Sequence, residues 1–170
     1  MVILFSGRKS DTEKEIIEIL TGYGGNYISD KKVYGSDGAF TVISEYKKTE
    51  LVIKKGIAVI IDDTDRFERQ IFPKGIIGIC ESSNKQALEI FEKTRIPIIS
   101  CGMNSKNTVT ISSLNNKNLL LALQRTIIGL NENETEPGEF KIKLKKDYKP
   151  FSVMASAAVL LLYGILPCEF

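Results

Sequence analysis

Val2-Ile3-Leu4-Phe5-Ser6-Gly7-Arg8-Lys9-Ser10-Asp11-Thr12-Glu13 is the stretch that decides the fold. Four consecutive apolar residues read as a buried strand, and Ser6-Gly7 ends it in a turn. Ser10 and Glu13 then stand at capping-box spacing. Ile16, Ile17, Leu20 and Tyr23 follow on one helical face, and Gly22, Gly24 and Gly25 end the helix. Strand, turn and capped helix are the opening of an α/β unit.

The same grammar continues along the chain. Residues 24–38 are rich in Gly and Asp and read as loop, with a short strand near Val33. Residues 39–45 are strand-like. Residues 57–61 (I-A-V-I-I) and 75–80 (G-I-I-G-I-C) are nearly continuous apolar runs, as a parallel strand covered on both faces requires. Ser83-Asn84-Lys85-Gln86 offers a second capping box, and Ala87, Leu88, Ile90 and Phe91 carry the helix after it. Residues 96–101 form the next strand, with Pro97 near its start, where a strand tolerates proline.

Past residue 103 the texture changes. Residues 108–111 alternate like an antiparallel or edge strand. Asn115 or Asn116 is placed to cap a helix containing Leu119, Leu120, Leu123, Ile127 and Ile128 and ended by Gly129. Residues 131–138 are a polar connector. Phe140, Ile142 and Leu144 alternate with charge as in a strand with one wet face. Ser152 is placed to cap a final helix over 153–163, closed by Gly164 and Pro167. The expected fold is α/β: a mostly parallel sheet with helices on both faces and a small mixed β/α C-terminal portion. It reads as one domain over 1–170, with room for a subdomain shift near residue 103. Residues 151–166 are the most apolar stretch. A membrane tail anchor and a buried terminal helix are the two readings. The stretch falls short of the roughly 20 residues a span needs and is interrupted by two serines and a glycine, so the buried helix is expected.

Composition narrows the chemistry. The chain has 170 residues, 43% of them apolar and 26% charged, which is a globular balance. Lys and Arg number 23 against 21 Asp and Glu, so the net charge of +2 gives no electrostatic case for nucleic acid or an anionic membrane surface. There is no His, which removes Ser-His-Asp and Cys-His hydrolysis and His-ligated metals. Cys80, Cys101 and Cys168 form no C-x-x-C pair, so a structural zinc site is not expected. Met1 runs directly into a strand-like segment, so no signal peptide is expected and a cytoplasmic chain with reduced thiols follows.

In an open parallel sheet, ligands bind outside the carboxyl ends of the strands. Those ends carry residues 6–10, then Ser44-Glu45, Asp62-Asp63-Thr64-Asp65 and Glu81-Ser82-Ser83. A basic, helix-capping turn would therefore share one rim with several carboxylates. Such a rim suits a phosphate at the helix amino end and Mg2+ on Glu45, Asp62, Asp63 and Asp65. The same residues also fit a solvated rim with an ordinary cap. The phosphate-loop pattern G-x-x-x-x-G-K-[ST] is absent, Lys9-Ser10 being the nearest approach.

The order of these pieces resembles the central, ATP-binding domain of the Mur ligases and the related folylpolyglutamate synthases, which join an amino acid or peptide to a carboxylate through an acyl phosphate. Residues 5–13 stand where that family has T-G-T-x-G-K-T-T, with Ser6-Gly7 at the opening Thr-Gly and Ser10-Asp11 at the Gly-Lys. Residues 58–61 followed by Thr64-Asp65-Arg66-Phe67-Glu68-Arg69 resemble A-V-x-T-N-I-x-P-D-H-L-D-R, with Arg66 at the metal-associated His. The segment that carries a carbamylated lysine is missing between Gln70 and Gly75. Residues 75–84 are similar to G-x-x-V-L-N-A-D-D-P, with Ser82 and Ser83 at the two acids. Residues 98–110 are similar to V-I-T-F-G followed by a D-V strand. Residues 152–157 running to 163–165 resemble H-N-x-x-N-A-L-A-A and L-G-I, with Ser152 at the nucleotide-contacting Asn.

The resemblance implies a degenerate, truncated, stand-alone form of that domain, without the flanking domains for the nucleotide-sugar and the incoming amino acid. On it, Ser6, Gly7, Arg8, Lys9, Ser10 and Ser152 are vestigial nucleotide-binding candidates. Glu45, Asp62, Asp63 and Asp65 are candidate metal ligands, and no residue is catalytic. Losing the lysine removes a positive group at the β/γ-phosphates, and a lost stabiliser of that kind costs about 10² to 10³ in rate. Two or three such losses leave little activity. Arg8, Lys9 and Arg66 are then expected to neutralise the rim acids as an ion-pair network. No cofactor is expected, with ATP and Mg2+ binding weakly if at all. The expected partner is a protein, not nucleic acid or a membrane. The favoured reading is a non-catalytic binding or assembly module linked to cell-wall metabolism. The alternative is a residual nucleotide-binding protein or weak Mg-dependent phosphohydrolase.

Overall fold

The computed structural model describes residues 1–7, 10–35, 37–45, 50–62, 70–115 and 117–170, with Glu45 as backbone only. β1 (Val2–Phe5) is fully buried and lies inside a ten-stranded sheet among the described residues, with six strands to one side and three to the other. It pairs in parallel with β4 (Thr41–Glu45) on one side and β5 (Gly56–Ile60) on the other. Parallel pairing continues outward through β6 (Ile76–Glu81), β7 (Ile98–Cys101) and β8 (Val109–Asn115). On the other side it continues to β2 (Asn26–Ile28). Both flanks end antiparallel. β3 (Val33–Tyr34) closes one edge; β9 (Asn118–Leu123) and β12 (Gly138–Lys143) close the other. This is the mostly parallel α/β sheet with a mixed C-terminal portion that the sequence implies.

Helices cover both faces, as burial of a central apolar strand demands. α1 (Asp11–Gly22) and α3 (Pro150–Leu162) pack together over one face. α2 (Lys85–Thr94) covers the other, where Phe5, Phe72 and Phe91 form a chain of ring contacts with centroids 5.4 Å apart. Every residue of α3 from Phe151 to Leu162 is buried. A helix apolar all round must be enclosed on every side, and this one is boxed between sheet, α1 and two returning segments. Leu130 N–H donates to Leu162 O at 2.9 Å, and Ile165 N–H folds back to Leu160 O at 2.9 Å over Gly164, whose φ of 73° suits glycine. No helix among the described residues is long and apolar enough to cross a membrane.

Four expectations need correction. The helix expected over Leu119–Leu123 and Ile127-Ile128 is instead strand β9 followed by β10 (Ile127–Ile128), which pairs with β11 (Glu134–Thr135). Leu119, Leu121 and Leu123 point to the α3 face while β9 sits between β8 and β12, so tertiary pairing decides a short apolar run that periodicity leaves ambiguous. Ser83 is not the cap of α2: Asn84 is, its Oδ1 accepting from Ala87 N–H at 2.7 Å. Ser152 does not cap α3, which starts two residues earlier at Pro150, with Lys149 as N-cap. Proline suits the first helical position because its missing N–H would have no partner there. Finally, residues 26–28, read as loop, form strand β2.

Candidate functional site

The parallel register brings the carboxyl ends of three strands level: Glu45 of β4 and Ile60 of β5 both lie opposite Phe5 of β1. The chain leaves β1 through Ser6, which is fully buried, and Gly7. Ile61 N–H donates to Phe5 O at 2.9 Å, holding the exit of β5 against that of β1. Asp62 follows, and its Oδ2 accepts from Gly7 N–H at 2.9 Å. The turn amide at the place where the resemblance would put a phosphate is thus engaged by the protein's own carboxylate, in a charge-assisted bond of the stronger kind.

α1 begins at the same rim. Ser10 has extended backbone, φ −65° and ψ 124°, and its Oγ accepts from Glu13 N–H at 3.4 Å, completing half of the expected capping box. Asp11 pairs with Lys14 at 2.7 Å, and this bond holds the Asp11 carboxyl below its ordinary range. An acid in the first turn favours the helix dipole, and its negative charge stands where the resemblance would require a phosphate-binding cation.

The start of α3 is tied to α1 by acids that sequence reading passed over. Lys149 N–H donates to a Glu15 carboxylate oxygen at 3.0 Å. Glu18 receives Lys146 Nζ at 2.6 Å and the Tyr148 hydroxyl at 3.2 Å. The Lys146 bond draws the Glu18 carboxyl below its ordinary range, and burial, then Glu18 itself, pushes the Tyr148 phenol up to about 12. Glu15 and Glu18 at helical spacing, opposite the basic run 145–149, are the signal that could have found this seam. Ser152 lies in the first turn of α3, fully buried. Among the described residues, neither Ser6 Oγ nor Ser152 Oγ has a hydrogen-bond partner.

Of the nucleotide-binding candidates, Ser6, Gly7 and Ser10 therefore share the β1 exit, and Ser152 sits in the first turn of the neighbouring helix. Arg8 and Lys9 lie outside the described residues. Of the candidate metal ligands, Glu45 is placed at the rim by its backbone and Asp62 by its bond to Gly7. Asp63 and Asp65 lie outside the described residues, as does Arg66, so the expected ion-pair network does too. Among the described residues no group of three or more acidic or cysteine side chains is arranged to hold a metal ion. Cys80 and Cys101 are buried, and burial pushes both thiols up, Cys80 to about 12, which makes them inert.

A search of solved structures matches this arrangement to a crystal structure of UDP-N-acetylmuramate:L-alanyl-γ-D-glutamyl-meso-diaminopimelate ligase from Neisseria meningitides, with a TM-score of 0.61. The chain has a distant Mur-ligase-like fold. The match covers 98% of this chain at 10% identity, so it establishes fold alone. The chain spans 62% of the length of that ligase chain. No protein-family model matches the sequence, and no curated protein does.

Proposed function

We propose that this chain is a degenerate Mur-ligase-like domain that does not ligate and serves as a binding or assembly module, linked to cell-wall metabolism. The observation that carries the reading is the bond from Gly7 N–H to Asp62. A phosphate loop works by presenting free backbone N–H groups to an anion. Here one such donor is spent on a carboxylate whose negative charge also repels a triphosphate. Asp11 adds a second negative group in the first turn of α1, and Glu15 takes the amide at the entry of α3. ATP with Mg2+ does not fit this rim. The link to cell-wall metabolism rests on the ligase whose fold the chain shares.

Two observations favour a second reading, residual nucleotide binding with weak Mg-dependent phosphohydrolysis. Ser6 Oγ and Ser152 Oγ are buried hydroxyls without partners among the described residues, close to the starts of α1 and α3. Buried hydroxyls normally find a partner, and a bound polar ligand would supply one. Calorimetric titration with Mg-ATP separates the readings. The module reading expects no saturable heat below about 1 mM ligand, a free energy near 4 kcal/mol. Phosphate release above a no-protein control, abolished by Ser6→Ala, would establish the second.

A further inference from the structure

β7 is paired along its whole length on one side only. Gly78 N–H donates to Pro97 O and Ser82 N–H to Cys101 O, so odd-numbered residues of this strand face β6. Ile98 and Ser100 therefore turn their backbone N–H and C=O to the other side. There, among the described residues, the ladder to β8 is a single pair, Cys101 with Val109. Gly102 N–H donates to Val109 O at 3.1 Å and Thr108 N–H to Ser100 Oγ at 3.1 Å, so the far end of β7 is covered and Ile98 is the position left open. The chain that could have filled the gap leaves the sheet instead. After Gln124 N–H bonds Thr108 O at 2.8 Å, residues 124–130 drop toward α3, where Leu130 N–H meets Leu162 O.

Between the open edge of β7 and this strap lies a cleft of about 540 Å³, a size that suits a short ligand. Its walls are apolar, with Ile98 and Ile99 from β7 facing Ile127 and Ile128 from the strap. Its charged lining is entirely basic. Arg125 stands at the Thr108 end, with one guanidinium N–H donating to Lys106 O at 2.8 Å; Lys74 and Lys55 stand at the Gly75 end. Two acids stand close by, Glu132 on Lys55 at 3.5 Å and Glu136 on Thr126 at 3.1 Å. Both are exposed and neither lines the cleft. The four residues of β7 span about 13 Å, so cations stand at both ends of the cleft.

We propose that this cleft binds an extended acidic peptide, which adds as a strand to β7. The edge N–H and C=O of Ile98 supply main-chain hydrogen bonds, the isoleucines take apolar side chains, and Arg125 and Lys74 take carboxylates at the two ends. This goes beyond the module reading and rests on different residues. A failed peptide titration leaves the nucleotide titration at the opposite rim intact, and the reverse holds.

The probe is fluorescein-labelled Glu-Val-Thr-Val-Glu, amidated at its C-terminus and followed by anisotropy with the full chain. A dissociation constant of about 100 µM or tighter is expected, weakened about tenfold by Arg125→Ala or Lys74→Ala, both exposed positions whose loss the fold tolerates. Two N-methylated versions, one on each alternating set of amides, read the strand geometry without altering the protein. The set facing β7 should lose at least about tenfold, and the set facing away less than about threefold. No binding at about 1 mM would overturn the proposal. So would equal effects from the two methylated sets, which would mean capture by charge and apolar contact without strand addition.

Discussion

At the carboxyl ends of β1 and β5, donors and acceptors of the chain meet one another: Gly7 with Asp62, Ser10 with Glu13, Lys149 with Glu15. Along β7 the opposite holds. The main-chain edge at Ile98 and a basic lining face open space, bounded by a strap that turns away from the sheet. Open α/β sheets gather ligands at the first kind of place. Here that place is complemented from within, and the unspent hydrogen-bonding capacity lies at a strand edge on the other side of the core. A fold of this kind locates where a ligand would ordinarily sit, but local donors and charges decide whether one can.

The contrast can be broken from either side. The largest effect is expected from Gly129→Ala. A Cβ at Gly129 would stand 2.6 Å from Leu162 O, so the strap must move off α3. Overpacking of this type costs about 1–3 kcal/mol, and thermal unfolding should show it, together with loss of peptide binding. An unchanged melting temperature would mean that the strap is not held where it lies. Asp62→Ala comes next. Losing a charge-assisted bond at a half-exposed site costs about 1 kcal/mol, and the freed Gly7 N–H should make the variant, unlike the parent, measurably stabilised by inorganic phosphate. Equal phosphate effects on both proteins would mean that Asp62 does not guard the rim.

A smaller effect concerns the amino end beneath β1, which is sealed where the β7 edge is open. Tyr163 stacks on Phe40 there at 4.8 Å, and burial pushes its phenol up to about 12. The folded state therefore keeps a proton that the unfolded chain gives up near pH 10, so stability falls as pH rises from about 10 to 12. Urea midpoints at pH 9 and 11 should show a shallower loss in Tyr163→Phe than in the parent; identical losses would mean that the seal is wet. The smallest effect is at the α1–α3 seam. Lys146→Ala removes an exposed pair with Glu18 and should cost no more than about 0.5 kcal/mol. The contribution of that pair is present above the ordinary carboxylate range and fades as pH falls through the lowered pKa of Glu18.

The parallel half of the sheet was legible because residues 2–5, 57–61 and 75–80 are nearly continuous apolar runs, as a doubly covered strand requires. Residues 118–128 were not. Leu119-Leu120-Leu121 fits a helix and a strand equally, and its partners in β8 and β12 are fixed by chain geometry no local pattern carries. At the rim, the sequence indicated which residues share a strand end, since parallel strands carry their carboxyl ends on one side of the sheet. It could not show that Asp62 turns inward to Gly7 rather than outward to a cation, because both directions use the same residue at the same position. The cleft was illegible for a related reason. It exists where residues 124–130 fail to pair, and an unmade ladder leaves no mark on periodicity.

The central claim is that the rim is closed to nucleotide by the chain's own acids. Calorimetric titration of the full chain with ATP and Mg2+ tests it most directly. The account predicts no saturable binding below about 1 mM. A one-site isotherm with a dissociation constant in the low micromolar range would contradict it.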